Sequence, residues 1–356
     1  MVGVACIRRH IQNIDLIEAI SYDMKWQKEL EKVVYSFAKV LKISVRNLPI
    51  EVKKSTIANN RTFLLRSILN HVAFYLYCKK FRGMNIFIPK VYGSPERAII
   101  LASRKKNIFI YDDGYGQYID PRVNQGKIDS LLYKFIENDK QHHRSNIIIA
   151  PRQPQLITYD SYQNTSISKQ DYSKELKEVI KDIAMSQDLL QMTGNYRKSE
   201  NLFVLISLPR LAMSSILGLG IDLDLLVNKV SNEFPTLVFL LKPHPRDVVL
   251  DFQELSRNIG KPKNWELLPR SLWCYPVEVL SQAINPRIIL TGNSTIGINS
   301  DLLPKTKVMV FDFLSFNMPY YNDHATRLMK SAGNYRGKTV EEAINLLIYY
   351  FKNENR

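Results

Sequence analysis

From residue 202 to residue 351, short apolar runs alternate with stretches of helical spacing, and this alternation constrains the fold more than any other feature. Strand-like runs fall at 202–208, 236–241, 265–268, 287–290 and 307–311. Apolar residues at helical spacing cover 222–230, 277–284 and 340–351, and Ser294-Thr295 is expected to open a further helix. Strands separated by helices pair in parallel, with helices covering both faces of the sheet. The expected class is therefore α/β.

The first half carries the same alternation less regularly. Strands are expected at 2–7, 85–89, 106–111 and 146–150. Helices are expected at 14–20, 28–41 and 62–77, with another opening at Ser94-Pro95-Glu96. A polar stretch, 159–173, has little apolar periodicity and precedes a helical pattern over 174–192. A chain of 356 residues exceeds what one hydrophobic core usually reaches. Two doubly wound domains are expected, 1–185 and 186–356, with the last helix able to pack back on the first. Such domains bind ligands in the cleft between them, at the carboxyl ends of their strands.

Four motifs sit at those strand ends or at the helix starts that follow. Asp112-Asp113-Gly114 closes the run 106–111. Two adjacent acids losing solvent there repel each other, which raises at least one pKa toward that of a general base. An ordinary Asp-Gly turn uses the same residues. Lys242-Pro243-His244-Pro245 closes the run 236–241. Its prolines fix the backbone on both sides of the histidine, and Lys242 and Arg246 add positive charge suited to an anionic oxygen. Glu278, in Pro276-Val277-Glu278-Val279-Leu280, falls in a first helical turn, where an acid is favourable even without a ligand. Ser294-Thr295, after Gly292-Asn293, offers hydroxyls and free N–H groups for phosphate, although plain N-capping uses the same residue types.

Charge narrows the partners. With 49 Lys+Arg against 34 Asp+Glu the chain carries a net +15, which favours an anionic nucleotide, sugar, lipid or nucleic acid. The basic residues are scattered, and the 19 tyrosines form no ladder interleaved with them, so no nucleic acid is expected as a partner. Cys6, Cys78 and Cys274 are far apart and odd in number, which argues against a disulfide framework and for a reducing compartment. No His/Cys/Asp spacing has the form of a metal site, and no Gly-rich phosphate loop occurs. The apolar stretch 63–77 is broken by Arg66, Asn70 and His71 and is shorter than the ~20 residues of a membrane span.

As a set and in this order, Asp112-Asp113-Gly114, His244-Pro245 and Ser294-Thr295, with Glu278 between the last two, resemble the bacterial sialyltransferases, including the polysialyltransferases of capsule synthesis. The resemblance spans residues 112–295 and leaves the first hundred residues, and hence the acceptor, unassigned. It implies a GT-B architecture, two Rossmann-like domains facing a cleft, and metal-independent, inverting transfer from CMP-sialic acid or a related CMP-nonulosonate to a glycan hydroxyl. No cofactor is implied beyond the activated donor. By the same resemblance, Asp112 or Asp113 would deprotonate the acceptor, and His244 would stabilise the phosphate of departing CMP. Ser294 and Thr295 would hold phosphate oxygens, Glu278 the ribose hydroxyls, and Lys242, Pro245 and Val277 would line the nucleotide pocket. The expected setting is the cytoplasm, with peripheral contact to an anionic membrane face during surface polysaccharide or lipooligosaccharide synthesis. Two other readings share some features: a cytidine-nucleotide-dependent polyol-phosphate transferase, and a basic nucleic-acid or membrane-binding protein.

Overall fold

A computed structural model describes residues 18–21, 28–47, 69, 72–81, 85–88, 99, 108–111, 147–149, 163–164, 169–209, 216–245, 264–297, 299–303, 305–315, 326–327 and 329–354. The chain divides into two compact units, Met1–Lys28 with Leu41–Val179, and Glu29–Val40 with Ile180–Arg356. Helix α1 (Lys28–Leu41) lies almost wholly in the second unit. It buries Val33, Ala38 and Leu41, and Phe37 packs edge-on against Tyr275 with ring centroids 5.6 Å apart.

In the first unit β1 (Glu18–Ser21) pairs in parallel with β2 (Ser44–Asn47). Residues 14–20 were expected as helix, yet 18–21 form a strand; short apolar runs satisfy both periods, and pairing with β2 decides between them. A second sheet has the order β3 (Ile86–Ile88), β4 (Ile108–Tyr111), β5 (Ile147–Ile149), β6 (Gln163–Asn164), all parallel. Phe87 and Phe109 stack across β3 and β4 with centroids 4.6 Å apart. A helix covers 72–78, overlapping the end of the helix expected over 62–77.

The helical pattern expected over 174–192 is two helices, α2 (Lys169–Ala184) and α3 (Gln187–Lys198). They break at Ser186, which is extended at φ −63° and ψ 142°. Ser186 is a cap-forming residue followed by Asp188 in the next first turn, so the sequence restarts a helix there.

The second unit holds a six-stranded parallel sheet built from β7 (Leu202–Ser207), β8 (Leu237–Lys242), β9 (Trp265–Leu267), β10 (Ile288–Thr291), β11 (Lys307–Phe311) and β12 (Tyr335–Gly337). Their order is β12-β11-β10-β7-β8-β9. The first strand thus lies centrally, the next two run out on one side and the last three on the other. This is the doubly wound order with a switch point between its first and fourth strands, here β7 and β10.

The central strands are apolar along their length because both faces are covered. Val204–Ile206, Phe239–Leu241, Ile288–Leu290 and Met309–Phe311 are almost completely buried. Helix α4 (Ile216–Glu233) buries Leu219, Leu223, Leu226, Val227 and Val230, one face at helical spacing. Helix α5 (Val277–Ile284) packs on α3, and α6 (Val340–Glu354) packs on α4 and buries Ala343, Leu347 and Phe351. Phe351 meets Phe234 at 5.6 Å between centroids. The exposed Lys352–Glu233 ion pair beside them, 3.0 Å, adds little in solvent.

A capping box starts α6: Glu342 N–H donates to Thr339 Oγ1 at 3.2 Å, and Thr339 N–H donates back to the Glu342 carboxylate at 2.9 Å. No helix among the described residues is long and apolar enough to cross a membrane.

Candidate active site

Parallel register brings three strand ends to one level. Ser207 at the end of β7 pairs with Lys242 of β8 on one side and Thr291 of β10 on the other. Adjacent strands stand about 4.8 Å apart, so the Lys242 and Thr291 positions are about 10 Å apart. The chain leaves this edge as Pro243-His244-Pro245 and as Gly292-Asn293-Ser294, flanking Leu208-Pro209 at the switch point.

On the β8 side, the backbone is pinned before the histidine is reached. Leu208 N–H donates to Lys242 O at 2.9 Å, and Leu268 N–H to Leu241 O at 3.0 Å. The Lys242 side chain is 3% exposed, and its Nζ donates to Trp273 O at 2.9 Å and to Pro243 O at 3.3 Å. Burial pulls its pKa down from 10.5 to about 8, while Cys274 and Glu278 oppose that fall. The ammonium therefore clamps the end of β8 to the turn leading into α5. His244 and Pro245 lie just beyond this clamp and remain partly exposed.

That turn is itself well packed. A 3-10 turn, Arg270–Leu272, precedes Trp273-Cys274-Tyr275, all three buried. Trp273 Nε1 donates to Leu268 O. Pro276 then caps α5, and its carbonyl accepts from Val279 and Leu280 N–H at 3.1 and 3.0 Å. Val277 is buried, whereas Glu278 keeps part of its surface in solvent. Burial nevertheless raises the Glu278 pKa, opposed by a hydrogen bond from its own backbone N–H and by attraction to Lys242. Each group of the Lys242–Glu278 pair thus favours the charged form of the other, and desolvation works against both.

On the β10 side, Gly292 is required by space. A methyl group there would overlap the carbonyl of Leu314. Asn293, 7% exposed, donates its backbone N–H to Ser315 Oγ at 3.0 Å, tying this loop to the one after β11. Ser294 is partly exposed, and its carbonyl accepts from Gly297 N–H at 3.0 Å. The helix expected to open at Ser294-Thr295 is instead a 3-10 turn over Thr295–Gly297. A single turn sums few peptide dipoles, so phosphate holding there would rest on local hydroxyls and N–H groups.

Residues beyond the sequence motifs join this edge. Asp312, directly after β11, accepts from Tyr335 Oη at 2.9 Å through Oδ2. Its Oδ1 is buried without a hydrogen-bond partner among the described residues. Burial, then the bond to Asp312, pushes Tyr335 up to about 12. Asp312 carries the signal used for the other motifs, a polar residue just past an apolar strand, whereas Ser315 follows a 3-10 turn over Asp312–Leu314. Asp112, Asp113 and Gly114 lie outside the described residues; β4 ends at Tyr111, immediately before them. Among the described residues no cluster of three or more His, Cys, Asp or Glu could hold a metal ion.

No family model matches the chain, and no curated protein matches it in sequence. Among solved structures it is similar to UDP-GlcNAc 2-epimerase from Neisseria meningitidis bound to UDP-GlcNAc, with a TM-score of 0.55 and 13% identity over 99% of this chain and 89% of that one. It is also similar to the α/β-galactoside α-2,3-sialyltransferase of the luminous marine bacterium Photobacterium phosphoreum, with a TM-score of 0.46 and 10% identity over 93% of this chain and the whole of the other. At such identities the likeness is one of fold. The chain has an α/β fold of GT-B type, with a six-stranded parallel sheet in its second unit.

Proposed function

We propose that the protein is an inverting glycosyltransferase that moves sialic acid, or a related nonulosonic acid, from its CMP donor to a glycan hydroxyl. The observation carrying this reading is the convergence of the His244, Glu278 and Ser294 segments on the carboxyl edge of one parallel sheet, around its switch point. Ligands of doubly wound sheets sit in that crevice.

In the proposed reaction Asp112 or Asp113 takes the proton of the acceptor hydroxyl. The hydroxyl oxygen attacks the anomeric carbon as the bond from that carbon to the phosphate oxygen breaks, and CMP leaves with inversion. His244 stabilises, or protonates, the phosphate of departing CMP. Ser294 and Thr295 contribute donors to phosphate oxygens, and Glu278 accepts from ribose hydroxyls. Pro245 and Val277 shape the cytidine pocket. Lys242 keeps the His244 and Glu278 segments in place, since its hydrogen bonds go to main-chain carbonyls on both. A basic chain suits an acidic donor and peripheral contact with an anionic membrane face.

CMP release from CMP-Neu5Ac in the presence of EDTA and assorted glycans tests the reading. Release coupled to a glycan mass gain of one sialyl residue supports it. A gain of one polyol phosphate from CDP-glycerol or CDP-ribitol would assign the same edge to polyol-phosphate transfer. Turnover of UDP-GlcNAc with no binding of any CMP-sugar, CDP-glycerol or CDP-ribitol would refute both.

A further inference from the structure

A cavity of about 720 Å³ opens at the opposite, amino-terminal edge of the same sheet. Every residue lining it belongs to the second unit. Its volume falls within the range of small-molecule pockets, roughly 300–1,000 Å³. Strands of four to six residues separate it from the carboxyl edge, or about 13–20 Å. It is therefore distinct from the proposed donor site.

Charge gives the cavity its character. Lys181, Arg197, Arg287 and Lys305 line it, with Glu200 the single acid. All four cations are exposed, and none makes an ion pair among the described residues. Helix ends supply a plainer reason for two of them, because Lys181 and Arg197 lie in the last turns of α2 and α3. The helix C-termini of α2, α3 and α5 at this edge bring about half a negative charge each. Set against Glu200 and these three ends, the four cations still leave a positive excess. Arg287 and Lys305 sit on strand entries, where no helix end of their own calls for a cation.

Hydrogen bonds hold the backbone that carries Arg287 and Lys305. Arg287 N–H donates to Phe203 O at 2.9 Å, and Lys307 N–H donates to Arg287 O at 3.0 Å, so the Arg287 backbone is fixed between β7 and β11. Below it, Ser281 Oγ donates to Thr306 Oγ1 at 3.2 Å and Thr306 Oγ1 donates to Pro286 O at 2.9 Å, all buried. Asn285 ends α5 in the left-handed conformation at φ 61°, which turns the chain sharply into this frame.

We propose that this cavity binds a ligand bearing clustered phosphate charge, gripped by Arg197 and Arg287 with Lys181 and Lys305 at the rim. Paired guanidinium forks match phosphate geometry better than isolated lysines do. The phosphate can come from a free phosphorylated metabolite or from a phospholipid headgroup. The site goes beyond the proposed transfer chemistry and does not depend on it.

Calorimetric titration with inorganic pyrophosphate and with ATP, and flotation with phosphatidylglycerol vesicles, test it on the full chain. The variants are Arg197→Glu/Arg287→Glu and, as a control at the other edge, His244→Ala/Glu278→Gln. Pyrophosphate or ATP binding identifies a free metabolite as the source, and vesicle binding alone identifies a lipid headgroup. Either should weaken at least tenfold in the arginine pair and persist in the control pair. Circular dichroism showing an unchanged fold must accompany the loss. If the arginine pair does not fold, Arg287→Gln alone serves, with the same tenfold threshold. No binding of any probe, equal binding in the arginine variants, or loss confined to the control pair would overturn the proposal.

Discussion

Replacing Lys242 by methionine separates the electrostatics of the buried amine from the packing around it. In the wild type the Lys242 pKa falls from 10.5 to about 8, chiefly through burial. At about 1.4 kcal/mol per pH unit, that fall is a cost of about 3 kcal/mol. Below pH 8 the lysine is protonated in both folded and unfolded chains, and the cost is present in full. Between pH 8 and 10.5 the unfolded chain holds the proton and the folded chain has lost it, so stability rises with pH and the cost disappears. Methionine keeps the volume and removes the charge, but it leaves Trp273 O and Pro243 O without their donor, at about 1–3 kcal/mol for each buried carbonyl. Near pH 7 these effects nearly cancel, and the variant should lie within about 2 kcal/mol of wild type. The informative quantity is the difference between the two urea-unfolding free energies measured from pH 7 to 10.5. It should shift toward wild type by about 3 kcal/mol across that window. A flat difference would mean that Lys242 does not enter the fold as a desolvated cation, and the clamp between β8 and the turn before α5 would lose its basis.

Other perturbations probe other links. Glu278→Gln removes a carboxylate whose pKa burial raises. The wild type should lose stability relative to this variant as pH rises from 4.5, and CMP affinity measured by calorimetry should fall at least tenfold. Gly292→Ala forces a methyl group toward Leu314 O and should cost about 1–3 kcal/mol in urea unfolding, with weaker CMP binding as the Asn293–Ser315 contact shifts. Leu347→Ala empties a fully buried position on α6 and should cost about 2–5 kcal/mol without changing the CMP affinity of the folded fraction.

The parallel sheet of the second unit was legible because its strands are buried on both faces. Runs such as Phe239–Leu241 and Val308–Phe311 carry their own signal, and the expected strand at 307–311 matches β11 at both ends. Helices α1 and α5 likewise match the expected 28–41 and 277–284, since their apolar residues keep one spacing throughout. Strands β2, β6 and β12 were not anticipated. They are short and largely polar, and main-chain pairing with a neighbour, rather than side-chain pattern, makes them strands. The break at Ser186 was missed because apolar spacing runs on through it.

At the site, His244 and Ser294 stood out as polar residues just past apolar runs, and Glu278 as an acid in a first helical turn. The Lys242–Trp273 hydrogen bond, the Gly292–Leu314 approach and the Asp312–Tyr335 bond each join segments 20 or more residues apart. Contacts of that kind leave no local pattern to read. The cationic cavity was invisible for the same reason, since its four cations come from two helices and two strand entries.

Crystals grown with CMP address most directly whether a cytidine nucleotide occupies the carboxyl edge of the second sheet. The phosphate should lie within hydrogen-bonding distance of His244 and Ser294, with the ribose hydroxyls at Glu278. CMP bound away from these three residues, or absent at saturating concentration while UDP-GlcNAc occupies the edge, would contradict the proposed donor.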